Sequence, residues 1–290
     1  MASGKYDRTT QDVGNIVALE HVNVKIPDQQ IATVFYVVGL GLTRDPYLMT
    51  GLENMWVNIG RQQFHLPTGA AQVLRGAVGL VIPDFDELPS RLAMVKERLE
   101  STKFAYSIED KHVRVVSPWG NVIHCHPPSP DFGDTTLGMP YVEFGVAQGA
   151  AAGIARFYRD AFGAAAAVAR NGRGETARVT VGPHQELVFR ETTEAIPPYD
   201  GHHLQIYIAS FSDPHRWLSE RGLITEESNW YQYRFQDIVD PDSGRVLFTL
   251  EHEVRSLRSP LYLRPLVNRN PAQRQPTYQR GRDAFVPGMS

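Results

Sequence analysis

The sequence predicts an α+β chain built from four βαβββ modules. Three observations lead there. A strand, a helix and three further strands succeed one another between residues 16 and 66. The same order restarts near Tyr141, where an ungapped overlay lays residues 21–41 on 143–163. Two further units, one between these and one after them, share a proline–glycine turn before their last strand.

Each element has a local reason. Residues 16–26 are rich in valine and isoleucine with period-two alternation, which is a strand pattern. Pro27 and Asp28 end the strand, and Asp28 caps a helix over residues 29–38 that Gly39 and Gly41 close. Strand-like pieces follow around Leu42, at 55–59 and at 62–66. The second unit opens with an apolar strand at 76–82, continues as a helix over 86–99 and adds strands at 104–108, 112–116 and 121–126. In the third, Phe157, Tyr158, Val146 and Gly163 repeat Phe35, Tyr36, Val24 and Gly41, so helix and closing glycine return in register. The fourth has a strand at 203–209, a helix over 213–221 and strands at 230–239 and 245–251. The shared turn reads Ser117-Pro118-Trp119-Gly120 in one even-numbered unit and Asp240-Pro241-Asp242-Ser243-Gly244 in the other.

Composition narrows the partners. A formal net charge of −3 gives no basis for binding nucleic acid or an acidic membrane surface. No apolar run approaches the roughly 20 residues of a membrane span, and residues 1–14 are too polar for a secretory leader. The single cysteine, Cys125, rules out an intrachain disulfide. A cytoplasmic location is expected. Residues 255–290 differ in kind, with seven arginines, five prolines and one acidic residue, Asp283. They read as an irregular arm packed along the chain or along a second subunit, so a homo-oligomer is expected.

The order and repetition of the four units resemble the vicinal oxygen chelate superfamily of glyoxalases, bleomycin resistance proteins and extradiol dioxygenases, over residues 15–254. In that fold two modules pair into a half-open eight-stranded cup, so the resemblance implies two cups. Modules one and two would form a domain over 15–127 that holds a metal. Modules three and four would form a structural domain over 139–254, joined through the Pro/Gly-rich stretch 127–138, with the arm at 255–290 outside both. The rival pairing joins module one to four and two to three. His21 and His65 would then meet His203 or Gln205, and His124 would meet Glu143.

The resemblance also says where a metal would sit, since the family's ligands come from the first and fourth strands of paired modules. His21 lies on the first strand of module one. His65 stands five residues after Gly60, the family's odd-module ligand position, and His124 stands four after Gly120, its even-module position. The first strand of module two carries no ligand type. The expected site is therefore His21, His65 and His124 around a divalent ion, with Fe(II) favoured and Zn, Ni or Mn as alternatives. It lacks the family's glutamate, so it should favour an anionic substrate with adjacent oxygens. The other cup fails the same test: Glu143 stands for His21, Leu187 for His65 with Glu186 one residue off, and Phe248 four after Gly244 with Glu251 out of phase.

Other residues follow from strand parity. His126 shares a face with His124 and is the candidate catalytic acid or base, and Cys125 points to the opposite face. Trp56 is the candidate substrate-stacking side chain. His112, His184 and His202 carry no pattern. The glycine-rich stretch 170–175 reads as a hairpin turn without the lysine and serine of a phosphate loop. The implied function is a metal-dependent enzyme on a small-molecule substrate, foremost a non-haem Fe(II) dioxygenase. The alternatives are a non-redox Zn or Ni isomerase, lyase or hydrolase, and a ligand-sequestering resistance protein.

Overall fold

A computed structural model describes residues 6–47, 51–172 and 174–268. Module one comprises β1 (Ile16–Asn23), α1 (Gln29–Ala32), β2 (Thr43–Arg44), β3 (Asn54–Ile59) and β4 (Gln62–Pro67). Module two comprises β5 (Gly76–Val81), α2 (Leu88–Val95), β6 (Ala105–Ile108), β7 (Val113–Val116) and β8 (Val122–His126). Module three holds β9 (Gly138–Ala147), α3 (Ala151–Phe162), β10 (Ala166–Asn171), β11 (Gly174–Gly182) and β12 (Gln185–Thr192). Module four holds β13 (His203–Ile208), α4 (Ser212–Ser219), β14 (Ile224–Asn229), β15 (Gln232–Val239) and β16 (Val246–Ser256). The Asp28 carboxylate caps α1 by accepting from the Gln30 and Ile31 amides, and the helix runs on as a π-helical stretch, Thr33–Gly39. Both shared turns close as expected, with Gly120 and Gly244 at positive φ. No helix among the described residues is long and apolar enough to cross a membrane.

The strands form two open eight-stranded sheets, ordered β14-β15-β16-β13-β1-β4-β3-β2 and β10-β11-β12-β9-β5-β8-β7-β6. Module one therefore pairs with module four, and module two with module three. This corrects the expected pairing of one with two and three with four: the stretches 15–127 and 139–254 each give one half to each sheet. Backbone sterics show how the second joint is made. Gly76 of β5 lies so close to β9 that an added Cβ would meet the Glu143 carbonyl oxygen at 1.8 Å. Glycine at this position lets module three dock there.

Modules one and two, and modules three and four, meet instead through their helical sides. Phe35 of module one packs edge-on to Phe104 of module two, 5.9 Å between ring centres. Phe157 of α3 meets Trp217 of α4 at 5.6 Å. Sheets join one to four and two to three, while helices join one to two and three to four. The result is a closed ring with one continuous apolar core. Strand alternation separates that core from the cup lumens: Val142, Phe144 and Val146 are fully buried on the helix side of β9, while Tyr141 and Glu143 face the lumen half-buried. Cys125 is buried on the helix side as expected, which pushes its thiol up to about 12.

The described part of the arm folds back on the first sheet of its own chain. Tyr262 packs on Tyr207, Arg264 pairs with the buried Asp45 at 3.1 Å, and Asn268 bonds both backbone groups of Gly60. The rest of the arm, 269–290, on which the subunit contact was expected, lies outside the described residues.

Candidate metal centre

Strands β16, β13, β1 and β4, adjacent in that order, carry four candidate side chains into the first cup. His21 pairs with Gln205 across the joint and Asn23 with His203. His65 lies beside Asn23, and Glu253 lies beside Gln205. A local two-fold that exchanges the half-sheets thus carries His21 onto His203 and His65 onto Glu253. The ligand atoms of His21, His203 and Glu253 lie within 4.8 Å of one another, as do those of Glu20, His21 and His65.

Neighbouring groups orient the rings. A register shift at Glu20 bulges β1 and turns the Glu20 carboxylate to His21 Nδ1, at 2.7 Å. A carboxylate only accepts, so Nδ1 carries the proton and Nε2 keeps its lone pair. The Gln63 amide donates to Asp45 and Asn58, which leaves its oxygen to accept from His65 Nε2 at 3.0 Å. His65 therefore keeps its lone pair on Nδ1. The His65 ring is stacked between His21 at 3.7 Å and Trp56 at 4.0 Å. Trp56 thus backs a candidate ligand, with Arg264 5.6 Å from its ring.

Electrostatics keep these imidazoles neutral. Burial lowers His21 and His65 well below the ordinary histidine range, aided by Arg255 beside both. Burial brings His203 down to about 3, aided by Arg234 and Arg255. Neutral imidazole is the form that binds a metal. Arg234 and Arg255 each hold one Glu253 oxygen, and Arg234 also holds Glu251. A carboxylate offers about four lone-pair sites, so Glu253 can keep these partners and still meet a cation. Glu20, Glu251 and Glu253 against Arg234 and Arg255 leave a net charge of −1 around the imidazoles. Beside His21, the fully buried Gln205 pairs neither atom of its amide. Such an orphan costs on the order of 1–3 kcal/mol unless a bound group satisfies it. The donor set and the orphaned amide fit a divalent metal with its ligands.

Of the three expected metal ligands, His21 and His65 are together and His124 is not. His124 sits on β8 in the other sheet, because module two pairs with module three. The positions it was to fill belong to His203 and Glu253. The site therefore includes a carboxylate, which corrects the expectation of an all-histidine set. Glu253 escapes the turn-counting rule because β16 runs eleven residues, to Ser256, carrying the inward position nine beyond Gly244. The alternation of Glu251, Glu253 and Arg255 against the buried Leu250, His252 and Val254 was the available signal. His252 faces the helices, accepting from the Tyr158 hydroxyl at 2.6 Å.

In the second cup the places of His21 and His65 go to Glu143 and, by the same strand offsets, Arg190, correcting the placement of Leu187, which lies in the core. Glu143 and Arg190 form a two-pronged ion pair. His124 and His126 lie here, each within hydrogen-bond reach of the Tyr141 hydroxyl, at 3.2 and 2.9 Å, with His112 beside both.

No family model matches the chain, and no curated protein matches it in sequence. Solved structures do match. Glyoxalase I from Zea mays aligns over 87% of this chain and 95% of its own, with a TM-score of 0.56 and 13% identity. A provisionally assigned dioxygenase from Bacillus subtilis aligns over 84% of this chain and 86% of its own, with a TM-score of 0.54 and 12% identity. Likeness at such identity is likeness of fold, and with its four modules and two open eight-stranded sheets the chain has the vicinal oxygen chelate fold.

Proposed function

We propose that this protein is a metal-dependent enzyme whose first cup binds a divalent ion through His21, His203 and Glu253 and acts on a small anionic substrate with adjacent oxygens. The observation that carries this reading is the convergence of those three side chains beside the orphaned Gln205 amide. Two imidazoles and one carboxylate with open positions is the donor set of non-haem Fe(II) oxygenases. The finer reading is therefore a dioxygenase, and Fe(II) would supply Lewis acidity and a site for O₂.

The chain's own residues supply the rest. The net charge of −1 around the imidazoles becomes +1 once a divalent ion is bound, so an anion is drawn in. Arg234 and Arg255 orient its charged oxygen. His65 Nδ1, unprotonated and beside His21, accepts a proton from a substrate hydroxyl. Gln205 positions the substrate through its free amide. Tyr262 and Arg264 of the arm wall the cup against bulk water.

A second reading has its own observation: the ligand atoms of Glu20, His21 and His65 form another group within 4.8 Å of one another. Two imidazoles and one carboxylate with an open position equally suit Zn or Ni and a non-redox isomerase, lyase or hydrolase. The test is metal analysis of protein purified without oxygen, then O₂ uptake with a catechol. Stoichiometric iron with O₂ uptake supports the dioxygenase. Zinc or nickel without uptake supports the second reading. Absence of stoichiometric metal would leave a ligand-sequestering protein. Changing His203 to Ala or Glu253 to Gln should remove most of the metal, whereas His124→Ala should leave its content unchanged.

A further inference from the structure

The second cup contains a cluster that the metal site does not use. Its centre is the Tyr141 hydroxyl, held between His124 Nδ1 and His126 Nε2. A phenol donates one hydrogen bond and accepts others, so the three groups form one chain: one imidazole accepts from the hydroxyl and the other donates to it. The backbone is shaped for this. Tyr141 and His124 flank Gly79 on neighbouring strands, and the phenol ring lies across the glycine. A Cβ on Gly79 would meet that ring at 2.3 Å. Without the glycine the hydroxyl could not reach across β5 to β8.

The surroundings suit an anion. Burial keeps the Tyr141 hydroxyl protonated and His126 low, at about 4. The lumen carboxylates are already engaged: Glu143 with Arg190, Glu186 with Arg178, and Glu109 with His112. Arg114 lies directly opposite His124 on β7 and has no carboxylate partner among the described residues. Phe132 of the 127–137 connection packs on His126 at 5.0 Å, giving the cluster an aromatic neighbour. The histidines, Tyr141 and Arg114 are only partly buried, so a ligand can reach them. Among the described residues His112, His124 and His126 form no group of converging ligand atoms, unlike His21, His203 and Glu253 in the first cup, so a cation is not the fitting occupant.

We propose that the second cup is a metal-independent binding site for a small hydroxycarboxylate, with Arg114 taking the carboxylate and the His124–Tyr141–His126 chain exchanging hydrogen bonds with the hydroxyl. The Lys111 backbone takes the other nitrogen of His126, so His126 Nε2 accepts from Tyr141, Tyr141 accepts from His124 Nδ1, and His124 Nε2 is left to accept from the ligand hydroxyl. Loss of the phenol should therefore affect hydroxylated ligands selectively.

The test uses full-length, metal-stripped protein with ¹⁵N-labelled histidine side chains, titrated with salicylate and with benzoate, which lacks the hydroxyl. Salicylate should shift the His124 and His126 signals and bind more tightly than benzoate. Arg114→Ala should weaken both ligands, on the order of tenfold for one charge-assisted contact. Tyr141→Phe should abolish the preference for salicylate while benzoate still binds. Shifts confined to His21, His65 and His203 would overturn the proposal, since binding would then belong to the first cup. It would fall equally if neither ligand moved His124 and His126, or if stoichiometric zinc moved them and excluded salicylate. None of these outcomes depends on the first cup holding a metal.

Discussion

At the residue scale, strand face separates the candidate ligands from histidines that only pack. His252 is fully buried, stacked on Phe235 at 4.4 Å and held by the Tyr158 hydroxyl. Burial lowers it from 6.5 to about 3. The sign follows from proton linkage. Between those values the unfolded chain holds a proton on this residue and the folded chain does not. Stability is therefore intact above pH 6.5 and lost as the pH falls toward 3. The slope approaches about 1.4 kcal/mol per pH unit for one such group. Glutamine at this position keeps an acceptor for Tyr158 but cannot titrate. His252→Gln should therefore flatten the fall in unfolding free energy between pH 6 and pH 4, measured by urea titration at each pH, by roughly that slope. An unchanged slope would mean that His252 takes up its proton in the folded chain as well.

At the element scale, β5 is the critical strand. It is short and apolar, and its two glycines serve different neighbours. At Gly76 an added Cβ meets the β9 backbone, and at Gly79 it meets the Tyr141 side chain. A backbone neighbour cannot swing away, whereas a ring can turn. Gly76→Ala should therefore destabilise the protein by about 3 kcal/mol, at the upper end of overpacking penalties, and Gly79→Ala by about 1 kcal/mol. The milder variant should also free Tyr141 from His124 and His126, visible as a change in their tautomer signals. Equal losses from both variants would show that β9 is not held against β5 by this approach.

At the scale of the whole molecule, the ring of four modules means that neither sequential half contains a complete sheet. His21 and His65 come from the first half, and His203 and Glu253 from the second. A cut after Asp134, in the connection between β8 and β9, should be tolerated when both pieces are present. Residues 1–134 and 135–290 expressed together should copurify one to one, and metal should bind only to the mixture. Either half folding alone with its own metal would contradict the sheet pairing. The intact chain should unfold in a single transition by calorimetry, because sheets and helices close one ring around one core.

The modules are legible in the chain because local physics writes them: valine–isoleucine alternation, the Asp28 cap, the Pro–Gly turns, and the return of Phe157, Tyr158 and Gly163. The sequence also placed His21 and His65 on the inward faces of their strands, because strand parity is a local property. The partner of each module is set by how distant parts of the chain pack. Pairing depends on long-range fits, such as the approach of β9 to Gly76 and the packing of Phe157 on Trp217, which leave no periodic trace. His124 followed its module into the other cup for that reason, although its strand and face were legible. Glu253 was missed because β16 runs further past its turn than β8 does, and the end of a strand is set by its neighbours. The candidate metal centre could thus be half read from the chain. Its second half, His203 and Glu253, became part of the site only when module four closed against module one.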